Sequence, residues 1–128
     1  MGHFKDLRVW HAEMDLAEQV YRATSVFPPE EKFVLSQQLR RAAVSIPSNL
    51  AEGRGRRTDR DFSRFVGYAY GSLMEVETQL ELARRLGLLL VGHSESVSAA
   101  VSETGRMLNA LRSELEKTTA RRRRRRTS

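Results

Sequence analysis

The chain has no cysteine. Disulfides and thiolate-ligated zinc are therefore excluded, and a reducing compartment is compatible with the sequence. No apolar run approaches the roughly 20 residues of a membrane span. The start, Met1-Gly2-His3-Phe4-Lys5-Asp6, lacks the apolar stretch of a secretory signal. A cytoplasmic protein that does not enter membranes is the expectation. No segment alternates in the manner of a strand between hairpin turns, so sheet architectures are not expected.

Sites of familiar chemistry are lacking too. His3, His11 and His93 have no metal-ligand spacing, and no Glu-x-x-His pair of the di-iron kind occurs. There is no phosphate-cradling glycine loop, and no serine stands in a Gly-x-Ser-x-Gly elbow. Glu75, Glu77 and Glu81 could suggest acid–base work, but Arg84 and Arg85 follow Glu81 at pairing distance along a helix. The expectation is a non-enzyme with no cofactor and no metal.

What is present is helical period. Leu7, Trp10, Met14, Ala17, Tyr21 and Thr24 step 3, 4, 3, 4, 3, with Val9, Leu16, Val20 and Phe27 beside them. Asp6 is a candidate N-cap. Pro28-Pro29 ends that helix and opens a second, whose line is Leu35, Leu39, Ala42, Ile46 and Leu50 with Phe33 alongside. Pro47 falls inside it, and a kinked continuation is expected because Leu50 and Ala51 keep the period. Gly53-Arg54-Gly55 reads as its stop, a glycine taking a left-handed conformation. Thr58 caps a third helix lined by Phe62, Val66, Ala69, Leu73, Val76, Leu80 and Ala83. Gly67 and Gly71 lie on one of its faces and suggest a close helix crossing. Gly87 ends it. The fourth helix carries Val97, Val101, Thr104, Leu108, Leu111 and Leu115, with Ser94 a possible cap.

Helices over about 6–26, 29–53, 58–86 and 92–117 predict an all-α, antiparallel up-down-up-down four-helix bundle with shallow, left-handed crossing, its second helix kinked at Pro47. Residues 118–128 read as an arginine-rich C-terminal tail, disordered by its own charge repulsion or at most fraying from the fourth helix.

Charge is unevenly placed. The net +6 lies wholly in Arg121, Arg122, Arg123, Arg124, Arg125 and Arg126; without them 16 basic residues face 16 acidic ones. Within the body, residues 40–64 hold seven arginines (Arg40, Arg41, Arg54, Arg56, Arg57, Arg60 and Arg64) against three acids. Two separate basic features result, one on the bundle and one on the tail. Arginine forks match phosphate geometry, so both are candidate nucleic-acid contacts. They equally describe a solvated bundle end, an incidental appendage or a protein-contacting surface. Apolar surface beyond one seam per helix leaves room for self-association.

Four blocks are distinctive: Phe4 to Trp10, Gln38 to Gly53 with its Ile-Pro-x-Asn-x-Ala-Glu-Gly core, Gly71 to Leu80, and Gly105 to Asn109. Together they resemble the four-helix bundle proteins of intervening sequences in bacterial 23S ribosomal RNA genes, over residues 4–115. The resemblance implies a left-handed bundle assembling as a homopentameric ring. It also implies kinship with accessory proteins of diversity-generating retroelements, which bind nucleic acid and a reverse transcriptase. It supplies no biochemical activity. Leu90-Val91-Gly92 departs from the family pattern, and the arginine run lies outside it. Asn49 and Glu52, beside Pro47, are expected to hydrogen-bond locally. The function expected is oligomeric binding of nucleic acid, with RNA ahead of DNA. The alternative is a scaffold that docks a partner protein.

Overall fold

A computed structural model describes residues 3–32 and 34–127. Phe33 lies outside them. After a short 3-10 turn over Phe4–Asp6 come five helices: α1 Arg8–Thr24, α2 Pro29–Lys32, α3 Leu35–Arg54, α4 Asp59–Arg85 and α5 Val91–Thr127. There is no strand among the described residues, and none of the helices is long and apolar enough to cross a membrane. The four long helices form a bundle in which α3 packs on α4, α4 on α5, α5 on α1 and α1 on α3.

The expected lines of α3, α4 and α5 are the buried ones. Leu39, Ile46, Leu50, Val66, Leu73, Val76, Val97 and Leu108 are fully enclosed. In α1 the seam is turned relative to the expectation. Its core stripe is Val9, Glu13, Leu16, Val20 and Ala23, with Ala17 and Thr24 of the expected line also buried, while Met14 and Tyr21 stay exposed and Trp10 is half-buried. Two apolar lines run along this helix. The core takes the one with smaller side chains, even though it includes a glutamate.

Helix ends differ from the expectation in four places. Asp6 does not cap α1, because its carboxylate accepts from the His3 N–H (3.1 Å) and closes the preceding turn. The second helix is broken in two at Val34, whose φ of −116° and ψ of −88° lie outside the helical region. Neither glycine of Gly53-Arg54-Gly55 is left-handed; Gly55 caps α3 at φ −80°. Ser94 lies within α5, where it accepts a hydrogen bond from Arg84 Nε (2.7 Å) instead of capping.

Other ends form as expected. Thr58 Oγ1 accepts from the Asp61 N–H (3.1 Å) and caps α4. Gly87, at φ +72°, closes α4 in a Schellman motif. Its N–H bonds the Arg84 carbonyl, and the Leu88 N–H bonds that of Ala83. Pro47 sits inside continuous α3. Around it Ser45 Oγ, Ser48 Oγ and Asn49 Nδ2 donate to the carbonyls of Ala42, Val44 and Ser45. Asn49 and Glu52 thus both hydrogen-bond locally, Glu52 accepting from Arg56 Nη2 (3.0 Å).

The close crossing expected at Gly67 and Gly71 is not made among the described residues. A Cβ at Gly71 would meet nothing within 4 Å, and one at Gly67 only Arg112 Nη2 at 3.7 Å. Gly71→Ala should therefore raise thermal stability, by roughly 0.5–1 kcal/mol from helix propensity alone. Calorimetry on the dilute protein checks this. A loss would mean that the face is packed against something outside the chain.

The largest departure is at the C-terminus. The arginine run is not a disordered tail but the last turns of α5, which extends to Thr127 and is about 55 Å long. Arginine has good helix propensity, and positive charge suits the carbonyl end of the helix dipole. Thr118 and Thr119 carry the helix onward, their hydroxyls donating to Glu114 and Leu115 carbonyls. Arg122 is also tied to the bundle, 3.3 Å from Asp59.

Candidate nucleic-acid interface

Helix α4 begins at Asp59, immediately after the connection that carries Arg56 and Arg57. Because Arg122 pairs with Asp59, the basic end of α5 meets that connection. The two basic features of the sequence are therefore one feature in space. Arg54, Arg56, Arg57, Arg60 and Arg64 join Arg121 to Arg126 at the same end of the bundle. Eleven arginines there face Glu52, Asp59 and Asp61, a local excess of +8.

The α3–α4 corner is organised around two phenylalanines. Phe62 and Phe65 are buried, and a Cβ at Gly53 would come within 2.5 Å of Phe65 Cβ and 3.1 Å of the Phe62 ring. Gly53 is thus required for contact between the helices, not for a turn. That close approach sets guanidinium groups over the rings. Arg54 lies 5.7 Å from the Phe62 centroid, and Arg56 and Arg64 lie 4.8 and 5.6 Å from that of Phe65. Arg56 also pairs with Glu52 (3.0 Å) and Arg64 with Asp61 (3.7 Å). These are exposed pairs, worth little individually. They orient the arginines without neutralising the corner. Arg57 and Arg60 are exposed. Successive residues of a helix are about 100° apart, so the six arginines of α5 point in all directions around its axis.

Arg40 and Arg41, the two candidate arginines not expected among the five that gather at this end, lie further along α3. Arg40 Nε donates to Thr24 Oγ1 (2.8 Å) and its Nη2 to the Tyr21 carbonyl (3.3 Å), and its guanidinium covers the Tyr21 ring at 4.6 Å. It ties α3 to the end of α1. Arg41 borders a cleft between α3 and α4 with Gln38, Ser45, Glu75 and Gln79. Both are about 20 Å along α3 from the basic corner.

Glu81 receives hydrogen bonds from Arg85 Nε (3.2 Å) and Arg84 Nη1 (3.1 Å), which hold its carboxyl below the usual range. Among the described residues no group of three His, Asp or Glu side chains could hold a metal.

Two features went unread in the sequence. One is Glu13, fully buried on α1 with neither oxygen hydrogen-bonded among the described residues. Burial pushes its carboxyl up to about 9. Its place in phase with Val9, Leu16 and Val20 was the available signal. The other is an apolar groove of about 610 Å³ between α1 and α3, lined by Phe4, Trp10, Met14, Tyr21, Val44 and Pro47 among others. The turned seam of α1 creates it.

Comparison with known proteins bears on this arrangement. Residues 5–110 match the family described as 23S rRNA-intervening sequence protein. No curated protein matches the chain. Among solved structures, a protein of unknown function from the S23 ribosomal protein family of Bacteroides thetaiotaomicron is similar, with a TM-score of 0.72 and 24% identity. The similarity covers 80% of this chain and 96% of that one, and it shows the shared helical fold. The arginine run lies beyond the family match.

Proposed function

Starting from a chain that belongs to the 23S rRNA-intervening sequence protein family, we propose a non-enzymatic, oligomeric accessory protein that binds nucleic acid, structured RNA ahead of DNA. The observation that carries this reading is the meeting of Arg121 to Arg126 with the α3–α4 corner. Eleven arginines at one end form a continuous surface for phosphates, larger than either basic feature alone. The order in which the helices pack supports an up-down-up-down bundle, left-handed as in the family resemblance. Assembly into a homopentameric ring, kinship with retroelement accessory proteins and a cytoplasmic setting belong to the same reading.

The test is filter binding of structured RNA across a salt series. The full chain should lose affinity with a log–log slope of about −0.9 per duplex phosphate neutralised, or −0.7 on single strands. Replacing Arg121 to Arg126 by glutamine should make the slope shallower by that amount for each arginine in contact. Absence of binding by the full chain at low salt would sink the reading.

A second reading has its own observation. The α1–α3 groove exposes Met14, Tyr21 and Val44, large apolar side chains around a concave surface. It suits a scaffold that docks another protein. Recovery of one partner from extract after nuclease treatment, lost in Tyr21→Glu, favours this reading over the first.

A further inference from the structure

The basic corner carries more than charge. Tyr68 follows Phe65 by one turn of α4 and is 51% exposed. The two rings meet edge to face, centroids 5.3 Å apart and planes at 80°. That contact leaves Tyr68 half exposed. The faces of Phe65 are occupied by Arg56 and Arg64. Those guanidinium groups lie within cation–π range of the ring and remain substantially exposed, Arg56 at 43% and Arg64 at 56%. The corner thus offers a half-exposed aromatic ring beside two planar cations, each held near the Phe65 ring and by a carboxylate.

Such an array discriminates between polynucleotides. A phosphate surface needs only charge, and arginines anywhere at this end would serve. Aromatic rings and guanidinium planes are the groups on which unpaired bases stack. In a duplex the base faces are already stacked on one another, and only phosphates and groove edges reach the protein.

Resting on the nucleic-acid reading above, we infer that this corner takes an unpaired stretch of polynucleotide. Its bases stack on Tyr68 and on the outer faces of Arg56 and Arg64, and its phosphates are met by the arginines of α5. The same chemistry serves an RNA loop or single-stranded DNA.

Fluorescence anisotropy on the full chain at constant salt separates the possibilities. The probes are a labelled 20-nucleotide RNA without self-pairing, a DNA of the same sequence, and the duplex of each. Tyr68→Ala should weaken binding of the single strands about tenfold, within the range for loss of one stacked base, and leave the duplexes unchanged. Tyr68→Phe should retain wild-type affinity, since the ring is kept. Tyr68 is exposed, so the variants should fold, and circular dichroism checks that they do. A larger Tyr68 effect on the RNA than on the DNA supports an RNA source, and the reverse supports DNA. Equal binding of single strands and duplexes, all insensitive to Tyr68→Ala, overturns the stacking inference while leaving phosphate binding intact. No binding to any probe removes both.

Discussion

Glu13→Leu should stabilise the protein by roughly 3 kcal/mol at neutral pH, the largest gain expected from any single change. Glu13 is wholly buried, and neither carboxylate oxygen has a hydrogen-bond partner among the described residues. An isolated buried charge is so unfavourable that the group takes up a proton instead. Burial pushes the carboxyl from 4.5 up to about 9. Below pH 4.5 the group is protonated in both folded and unfolded chains and has no pH-dependent effect. Above pH 4.5 the unfolded chain ionises while the folded one keeps its proton. Stability therefore falls by about 1.4 kcal/mol per pH unit, until the folded group also ionises near pH 9.

Urea denaturation at pH 5, 7 and 9 reads this directly. The wild type should weaken steadily across the series, whereas Glu13→Leu should show no part of that slope. Their difference isolates the contribution of Glu13. Glu13→Gln should also abolish the slope but gain less, because its amide is left buried without partners. A leucine variant less stable than the wild type at pH 9 would show that the carboxylate has a stabilising partner.

Glu13 also marks where the sequence was readable and where it was not. Three of the four seams follow from period alone, because α3, α4 and α5 each have one dominant apolar line. Helix α1 has two, and the larger side chains, Trp10, Met14 and Tyr21, point to the wrong one. Packing chose the line with smaller residues and a glutamate, and the large side chains became the rim of the groove. The basic site was half readable. Local composition reveals the arginines around α4 and the arginine run, but their meeting depends on the length of α5. That length was underestimated because six like charges suggest disorder. In the protein, intrinsic helix propensity, the helix dipole and the pair between Arg122 and Asp59 oppose the repulsion. The surroundings of Arg40 are not legible from its neighbours. It looks like its neighbours in sequence, yet its partners are the Tyr21 ring and the Thr24 hydroxyl, far from the corner.

The second large effect is expected at Gly53, and it joins stability to the site. Alanine there gains about 1 kcal/mol of helix propensity, as it does at Gly71. At Gly53 that gain is overwhelmed. The new methyl would stand 2.5 Å from Phe65 Cβ, an atom fixed to the α4 backbone that cannot swing aside as a side-chain tip could. The helices must separate, and overpacking of this kind costs about 1–3 kcal/mol or more. Gly53→Ala should therefore lose roughly 2 kcal/mol and lower the melting temperature by several degrees. The same substitution at Gly71 should raise it. Opposite signs for one chemical change, measured side by side, separate helix propensity from interhelical contact. Because Phe65 lies beneath Arg56 and Arg64, displacing it should also spread the guanidinium planes and weaken polynucleotide binding in the part of the population still folded. If Gly53→Ala proves as stable as the wild type, α3 and α4 slide apart at little cost. The arginine corner is then not held by the contact that gives it its shape.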